Sequence, residues 1–252
     1  MVKIYSKKIK LADYEVVRRD GIFHKKVSPL VMGAKINPKE YTLVHEGNVP
    51  NLEANSAMSM RQGFNGKHHL DTNVEVLSSG LAVPRSRRFI TQLVNVNQAL
   101  NGNGVLYDAN GDLIEGEKLS KYAHILNHHC WVRLNDSFES GEGYLDLEVV
   151  TITGLEDGRP VYEREPLQEC LSEDCYADLD SVNEQGFPTR KSSVQKYEPG
   201  KSTYFQYPIA DRALKFFAFS RDALLGCNKS PPFMSSRLGV FASAEGKCVE
   251  KV

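Results

Sequence analysis

Residues 118–134 place the strongest constraint on the fold, because a helical pattern there passes directly into a strand pattern. Five apolar side chains recur at the spacing of one helix face: Leu119, Tyr122, Ala123, Leu126 and Cys130. The next four residues, WVRL at 131–134, are typical of a strand. Such a junction predicts at least one amphipathic helix packed beside a sheet.

Helical and strand patterns are mixed along the rest of the chain. A second helical stripe follows Pro84 and comprises Phe89, Ile90, Leu93, Val94 and Leu100. The pair Asn101-Gly102 predicts where that helix ends. Strands are predicted at 72–77, 144–152 and 235–243, and irregular structure at 46–69. Because helices and strands do not alternate regularly, the sequence favours an α+β fold, and 252 residues fit a single domain.

Charge is unevenly distributed along the chain. Residues 136–189 contain fifteen Asp or Glu and two Arg, a net charge of −13, whereas the whole chain carries −1. The other 198 residues therefore sum to +12, an acidic segment within a basic body. This pattern is compatible with a nucleic-acid groove and equally with a solvated acidic loop beside a lysine-rich surface.

Known catalytic motifs are missing from the sequence. It contains no P-loop, no G-x-G-x-x-G and no G-x-S-x-G nucleophile motif. His124 and His128 stand four residues apart, which puts two imidazoles on one helix face, but zinc needs further ligands from elsewhere. Cys170 and Cys175 offer only a loosely spaced pair. We therefore predict no catalytic residues, no metal and no cofactor, and keep a zinc-dependent hydrolase or nuclease using His124 and His128 as an alternative.

Three segments combine basic residues with glycine or aromatic residues: RQGFNGK at 61–67, RSRR at 85–88 and TRKSSVQKYEPGKSTYF at 189–205. Arginine at a helix start attracts phosphate, and Phe64 in a basic loop could stack on a base. Alternatively RSRR is an exposed helix start and Phe64 is tucked inward in a surface turn. Taken together, the three segments favour single-stranded nucleic acid as the ligand.

Four segments resemble one known family, the backbone subunit of type I-F and variant I-F CRISPR surveillance (Cascade) complexes. The segment EKLSKYAHILNHHCWVRLND is similar to its helix-to-strand region, and VEVLSSGLAVPRSRRFITQLVNVNQALNGNG resembles its strand, loop and helix. SMRQGFNGK resembles its early basic loop, and SSRLGVFASAEGK resembles its C-terminal segment. The four occur in the family's order and cover roughly residues 58–134 and 185–247. The acidic segment 154–184 stands where the family has a thumb-like excursion.

The resemblance implies an RNA-recognition-motif-like (ferredoxin-like) palm with finger-like and thumb-like insertions. Residues 1–252 would form one discontinuous domain, with inserted loops at about 45–70 and 154–200. Copies would stack head-to-tail along a guide crRNA and present it to target DNA, with other Cas subunits at the filament ends. The candidate RNA-binding residues are Arg61, Phe64, Lys67, Arg85, Arg87, Arg88, Arg133, Arg190, Lys191, Lys201 and Arg237.

Cellular location is inferred from cysteine usage and hydropathy. Five cysteines without framework spacing indicate a reducing compartment, and no apolar run approaches the ~20 residues of a membrane helix. The expected location is cytoplasmic, with no membrane partner. A structural protein of a phage or mobile element, with incidental basic patches, remains a further alternative.

Overall fold

The computed structural model describes residues 10–11, 14–19, 22–25, 30–32, 34–44, 56–229 and 235–248, with side chains described at 34–44, 56–227 and 235–245. Within these ranges the chain combines three α-helices with extended sheets. The predicted α+β class is therefore confirmed.

The helices are α1 (His69–Ser78), α2 (Ser86–Leu100) and α3 (Gly116–His128). In α3 the predicted stripe is buried, and it continues into Cys130 just beyond the helix end. In α2 the stripe is buried at Phe89, Ile90 and Leu93, but Leu100 is 44% exposed. Helix α2 is capped by Asn101 after its last residue, Leu100, and Gly102 adopts the left-handed conformation (φ 75°) expected after a helix.

The sequence predicts a strand at 72–77, but these residues belong to helix α1. Val74 and Val76 alternate as in a strand, yet the buried side chains of α1 are His69, Thr72, Asn73 and Val76. These positions have helical spacing, but three of the four are polar. A hydrophobic pattern could not reveal this helix face, because its buried side is built largely from hydrogen-bonding groups.

The strands are β1 (Lys10–Leu11), β2 (Tyr14–Arg19), β3 (Ile22–Lys25), β4 (Leu30–Met32), β5 (Tyr41–Val44), β6 (Ser56–Ser59), β7 (Trp131–Ser140), β8 (Leu147–Glu156), β9 (Arg159–Pro166), β10 (Cys175–Asp178), β11 (Ser202–Phe205), β12 (Arg212–Ala218), β13 (Ala223–Lys229), β14 (Leu238–Gly239) and β15 (Ser243–Cys248). Strand β6 is buried at all four residues, so the region predicted as irregular at 46–69 contains a core strand. Residues 46–55 of that region lie outside the described part of the chain.

The largest sheet has the order β10-β11-β13-β12-β7-β8-β9, with β14 pairing parallel to the start of β7. A second sheet has the order β4-β15-β6-β5, and β1-β2-β3 form a third. Residues 154–200 contribute the end of β8 together with β9 and β10, so this acidic region supplies both outer strands of the largest sheet. Strand β9 is the outermost on its side and most of its side chains are exposed.

Helices α2 and α3 cover one face of the largest sheet. The side chains on that face include Val132, Phe216 and Leu225, all fully buried in the main core with Phe89 of α2 and Leu126 of α3. The rings of Phe89 and Phe216 lie 5.1 Å apart. Because successive strand residues point to opposite faces, Trp131, Arg133, Lys215 and Phe217 are directed to the face away from this core.

Candidate nucleic-acid interface

Three segments far apart in sequence meet beside the start of β7. The side-chain amide of Gln62 donates to the carbonyl oxygens of Trp131 and Arg237, each at 2.7 Å. Gly63 and Val240 exchange two backbone hydrogen bonds, and the amide of Gly66 donates to Leu238. The basic loop 61–67, the strand after α3 and the closing segment are thus joined at one place.

An aromatic cluster with an arginine lies at this junction. The ring of Trp131 contacts Phe217 edge-on at 5.3 Å between centroids and Phe219 at 5.9 Å. The guanidinium of Arg237 lies 5.8 Å from the centre of the Trp131 ring, within cation–π range. Phe219 is 44% exposed and Trp131 is partly exposed, so the cluster reaches the surface.

The cluster continues across the sheet through paired positions on neighbouring strands. In register order the row is Tyr176, Tyr204, Leu224, Phe217 and Trp131. We call these five residues the cross-strand row. Directly paired residues share a face, so the row lies on the side of the sheet opposite to α2 and α3. Phe217 is 5% exposed, and the other four are partly exposed.

A row of buried cations lies two residues further along the same strands. Arg133 and Lys215 are paired across β7 and β12, and neither has exposed surface. Arg133 also donates from Nη2 to the carbonyl of Lys67 at 2.7 Å. The burial of Arg133 argues against the direct RNA contact expected for it. Its position instead ties the basic loop to the sheet.

His69 of α1 lies against these two cations. Burial, followed by the positive charges of Arg133 and Lys215, lowers the pKa of His69 to about 3. The imidazole is therefore neutral near pH 7. Burial also lowers the pKa of Arg133 to about 10, which leaves it a cation at neutral pH.

The basic loop and its surroundings carry exposed cations in surface ion pairs. Arg61 lies 3.4 Å from Glu40, and Lys67 lies 2.7 Å from Glu75. Exposed ion pairs of this kind contribute about 0–1 kcal/mol, so a phosphate could replace either carboxylate at little cost. Arg237 has no carboxylate partner in the described part of the chain.

The side chain of Phe64 is directed inward and is not placed to stack on a base. Its backbone is left-handed (φ 55°), and its side chain packs against the small core cluster of Val76, Val83, Val240 and Ala242. The inward alternative considered for this loop is therefore the one observed.

The arginines of RSRR are held by this chain's own groups. Arg85 donates to Asp136 and Glu165, and Asp136 is fully buried and also accepts from the amide of Ser86. Burial raises the pKa of Asp136, and the charge of Arg85 partly offsets that effect. This buried acceptor fixes the first turn of α2.

The neighbouring arginines are engaged as well. Arg87 donates to the carbonyl of Glu184 at 2.9 Å, and Arg88 donates to Glu245. The three RSRR arginines therefore anchor α2 to β7, to the acidic segment and to β15.

The remaining predicted cations lie at the opposite edge of the sheet. Arg190 bonds both Asp178 and Asp180, and Lys191 pairs with Glu173. Lys201 lies 3.8 Å from Glu198 and lines a polar cleft of about 460 Å³ between the end of α2 and β10. The acidic segment thus neutralises bases of its own chain.

Several residues of the candidate interface were not predicted. They are Trp131, Phe217, Phe219 and Arg221. Arg221 is exposed in the turn between β12 and β13 and makes no ion pair in the described part of the chain. The segment ALKFFAFSR carried a signal, since aromatic residues there precede an arginine, but only the strand register shows that they meet Trp131.

The histidines do not form a metal site in the described ranges. The ring centres of His124, His128 and His129 lie 4.9–6.4 Å apart. Across these ranges, no group of three or more His, Cys, Asp or Glu side chains is arranged to hold a metal ion. Cys170 and Cys175 are both free thiols.

No helix within the described ranges is both long and apolar enough to span a membrane. Comparison with protein-family models, with curated protein sequences and with solved structures finds no match to this chain.

Proposed function

We propose that this protein is a guide-RNA-binding backbone subunit of a type I-F or variant I-F CRISPR surveillance complex, without catalytic activity of its own. One observation supports it above the others. The basic loop, the strand after α3 and the closing segment, which carry much of the family resemblance, meet around Trp131 and Arg237.

The chemistry of this junction suits single-stranded RNA. An unpaired base can stack on the partly exposed rings of Trp131 and Phe219, and stacking on aromatic side chains tolerates any base. Arg237 and Arg221 are available for phosphates, and Arg61 and Lys67 can exchange their surface carboxylates for phosphate. Such contacts hold a guide through its backbone and leave its sequence to be read by base pairing.

In this proposal the sheet with α2 and α3 acts as the RNA-recognition-motif-like palm, and loop 61–67 is part of a finger-like insertion. Copies bind head-to-tail along the guide in the cytoplasm, with target DNA reached through the guide and other Cas subunits at the ends. The set of RNA contacts is narrowed to Arg61, Lys67, Arg221 and Arg237 with Trp131 and Phe219. The other predicted cations are assigned structural roles within the subunit.

The test uses Trp131, which is the only tryptophan of the chain and therefore reports on its own site by fluorescence. Titration with single-stranded RNA should quench this emission, and the apparent affinity should fall with salt. The variant Arg221→Ala/Arg237→Ala should weaken binding, because two cations that face phosphates are removed. The slope of log affinity against log salt should become shallower by about 0.7 for each phosphate that is no longer neutralised.

A matched control is Lys118→Ala/Lys121→Ala, which removes two exposed cations of α3, on the side of the sheet opposite to Trp131. Its salt slope should equal that of the wild type. Equal slopes for both double variants would contradict the proposed interface. Self-assembly without nucleic acid, and no quenching by any RNA, would instead favour a structural protein of a phage or mobile element.

A further inference from the structure

A second aromatic pair lies on the same sheet face as Trp131. The rings of Tyr176 and Tyr204 meet edge-to-face at 5.3 Å between centroids, and both side chains are partly exposed. Register pairing links Tyr204 to Trp131 through Leu224 and Phe217, so these side chains share a face. Neither tyrosine is among the RNA contacts proposed above.

We infer that Tyr204 and Tyr176 form a second base-stacking position, and that single-stranded RNA crosses the strands from Trp131 on β7 to Tyr204 on β11. This inference rests on the proposed function, because it extends the same RNA site. Three strand spacings separate Tyr204 from Trp131, a distance of about 14 Å. At a stacked rise of about 3.4 Å, about four nucleotide steps cover this distance, so about five nucleotides engage both positions.

The surface between the two positions fits such a path. Phe217 is buried and Leu224 is partly exposed, and together they form an apolar floor beneath the proposed path of the RNA. Arg221 lies in the turn joining β12 to β13, the two strands between the stacking positions, and it is exposed. Arg237 stands at the Trp131 end. The cations thus lie beside the path, where phosphates would run while bases face the rings.

Tyr176 is held in place by the same turn. Its hydroxyl lies near Asp222: burial, followed by the charge of Asp222, raises the pKa of Tyr176, and the Asp222 carboxylate accepts from the amide of Ala223 at 2.9 Å. The turn that presents Arg221 therefore also fixes the Tyr176 ring against Tyr204. A fixed ring loses little conformational freedom when a base stacks on the pair.

The experiment compares short and long RNA through the Trp131 emission. Oligonucleotides of three nucleotides reach only the Trp131 position, whereas those of eight reach both. In Tyr204→Ala the affinity for the eight-nucleotide RNA should fall about tenfold, the scale of a single base–aromatic stack. The affinity for the three-nucleotide RNA should not change, and Tyr204→Phe should retain wild-type affinity for both lengths.

Tyr162→Ala is the matched control, because Tyr162 is an exposed tyrosine on β9 outside the cross-strand row. It should leave both affinities unchanged. If Tyr204→Ala lowers the affinity for both RNA lengths equally, or changes neither affinity, the second stacking position is wrong. Quenching of the wild type by RNA would still support the proposed function. If no RNA quenches the wild type, the proposed function fails and the second position fails with it.

Two further arms identify the occupant. DNA of eight nucleotides tests whether the sugar matters, since a binder specific for RNA needs contacts to the 2′-hydroxyl. DNA binding as tight as RNA binding, with the same loss in Tyr204→Ala, keeps the stacking position but overturns the selectivity of this surface for RNA. A shift of Trp131 emission that depends on protein concentration without nucleic acid would show that a second copy covers the row, and would overturn the inference.

Discussion

His69 is a neutral imidazole enclosed by two cations at the start of α1. In the unfolded chain its pKa returns to about 6.5, so only the unfolded state takes up a proton as the pH falls from 6.5 towards 3. Uptake by the unfolded state alone favours unfolding. The stability linked to His69 is therefore present above pH 6.5 and is lost on acidification.

We expect this residue to reduce the free energy of unfolding by about 2 kcal/mol between pH 7 and pH 5. Urea denaturation at the two pH values measures the change in the wild type. The variant His69→Gln, which does not titrate, should show a change smaller by that amount even if it is less stable overall. His124→Gln, at an exposed histidine, should behave as the wild type does. Equal pH dependence in His69→Gln and the wild type would refute the assignment.

At the scale of elements, the acidic segment is joined to the first turn of α2. Gly186 has φ 90°, and its carbonyl accepts from Ser86 Oγ at 3.0 Å. A Cβ atom at this position would lie 2.2 Å from the amide nitrogen of Arg87. The contact therefore requires glycine for two reasons, the left-handed backbone and the close approach of another backbone.

Gly186→Ala should accordingly destabilise the protein by about 3 kcal/mol or more, because strain of the left-handed backbone adds to overpacking. Gly158→Ala is the matched control. Gly158 at the tip of the β8–β9 hairpin is also left-handed (φ 74°), but a Cβ there meets nothing within 4 Å. This control should be destabilised by only about 1–2 kcal/mol. Denaturant unfolding of both variants gives the difference, and equal losses of stability would contradict the packing described here.

Local patterns predicted α2 and α3, because the period of buried residues and the Asn101-Gly102 stop are properties of neighbouring residues. They missed α1, whose buried face is polar, and β6, whose four buried residues include two serines. The interface depended on distant pairing. Trp131, Phe217 and Arg237 meet only through the registers of β7 with β12 and β14, and no local pattern encodes a register between distant segments.

The pairing of charged side chains likewise depends on contacts between distant segments, which no local pattern predicts. The sequence predicted an acidic segment within a basic body, but not that Glu165, Asp178 and Glu173 would pair with Arg85, Arg190 and Lys191. In the folded chain these predicted cations are paired with carboxylates of the acidic segment. Arg221 and Arg237 have no carboxylate partner in the described part of the chain, and this property distinguishes them, whereas sequence clustering does not.

At the scale of the whole molecule, a backbone subunit repeated head-to-tail makes a heterologous contact that does not close, so its copy number is set by the length of the RNA. Each copy adds 28.2 kDa. We expect the purified protein to show more copies on a 60-nucleotide RNA than on a 30-nucleotide RNA, in a ratio of about two, as measured by mass photometry.

High salt should dissociate these assemblies. Binding to phosphates releases counterions, so the affinity for RNA falls as the salt concentration rises. The same number of protein copies at both RNA lengths would contradict assembly along a guide. The variant Arg221→Ala/Arg237→Ala should need a higher protein concentration to reach the same mass.

Strand β9 bears on what happens when many copies crowd together. It is an edge strand with the sequence RPVYEREP. Pro160 and Pro166 lack amide donors, and Glu163, Arg164 and Glu165 are charged. Proline and charge at a margin discourage a foreign strand from adding to it. Neighbouring copies in an assembly therefore do not readily pair through their β9 edges into one continuous sheet, because these edges disfavour strand addition.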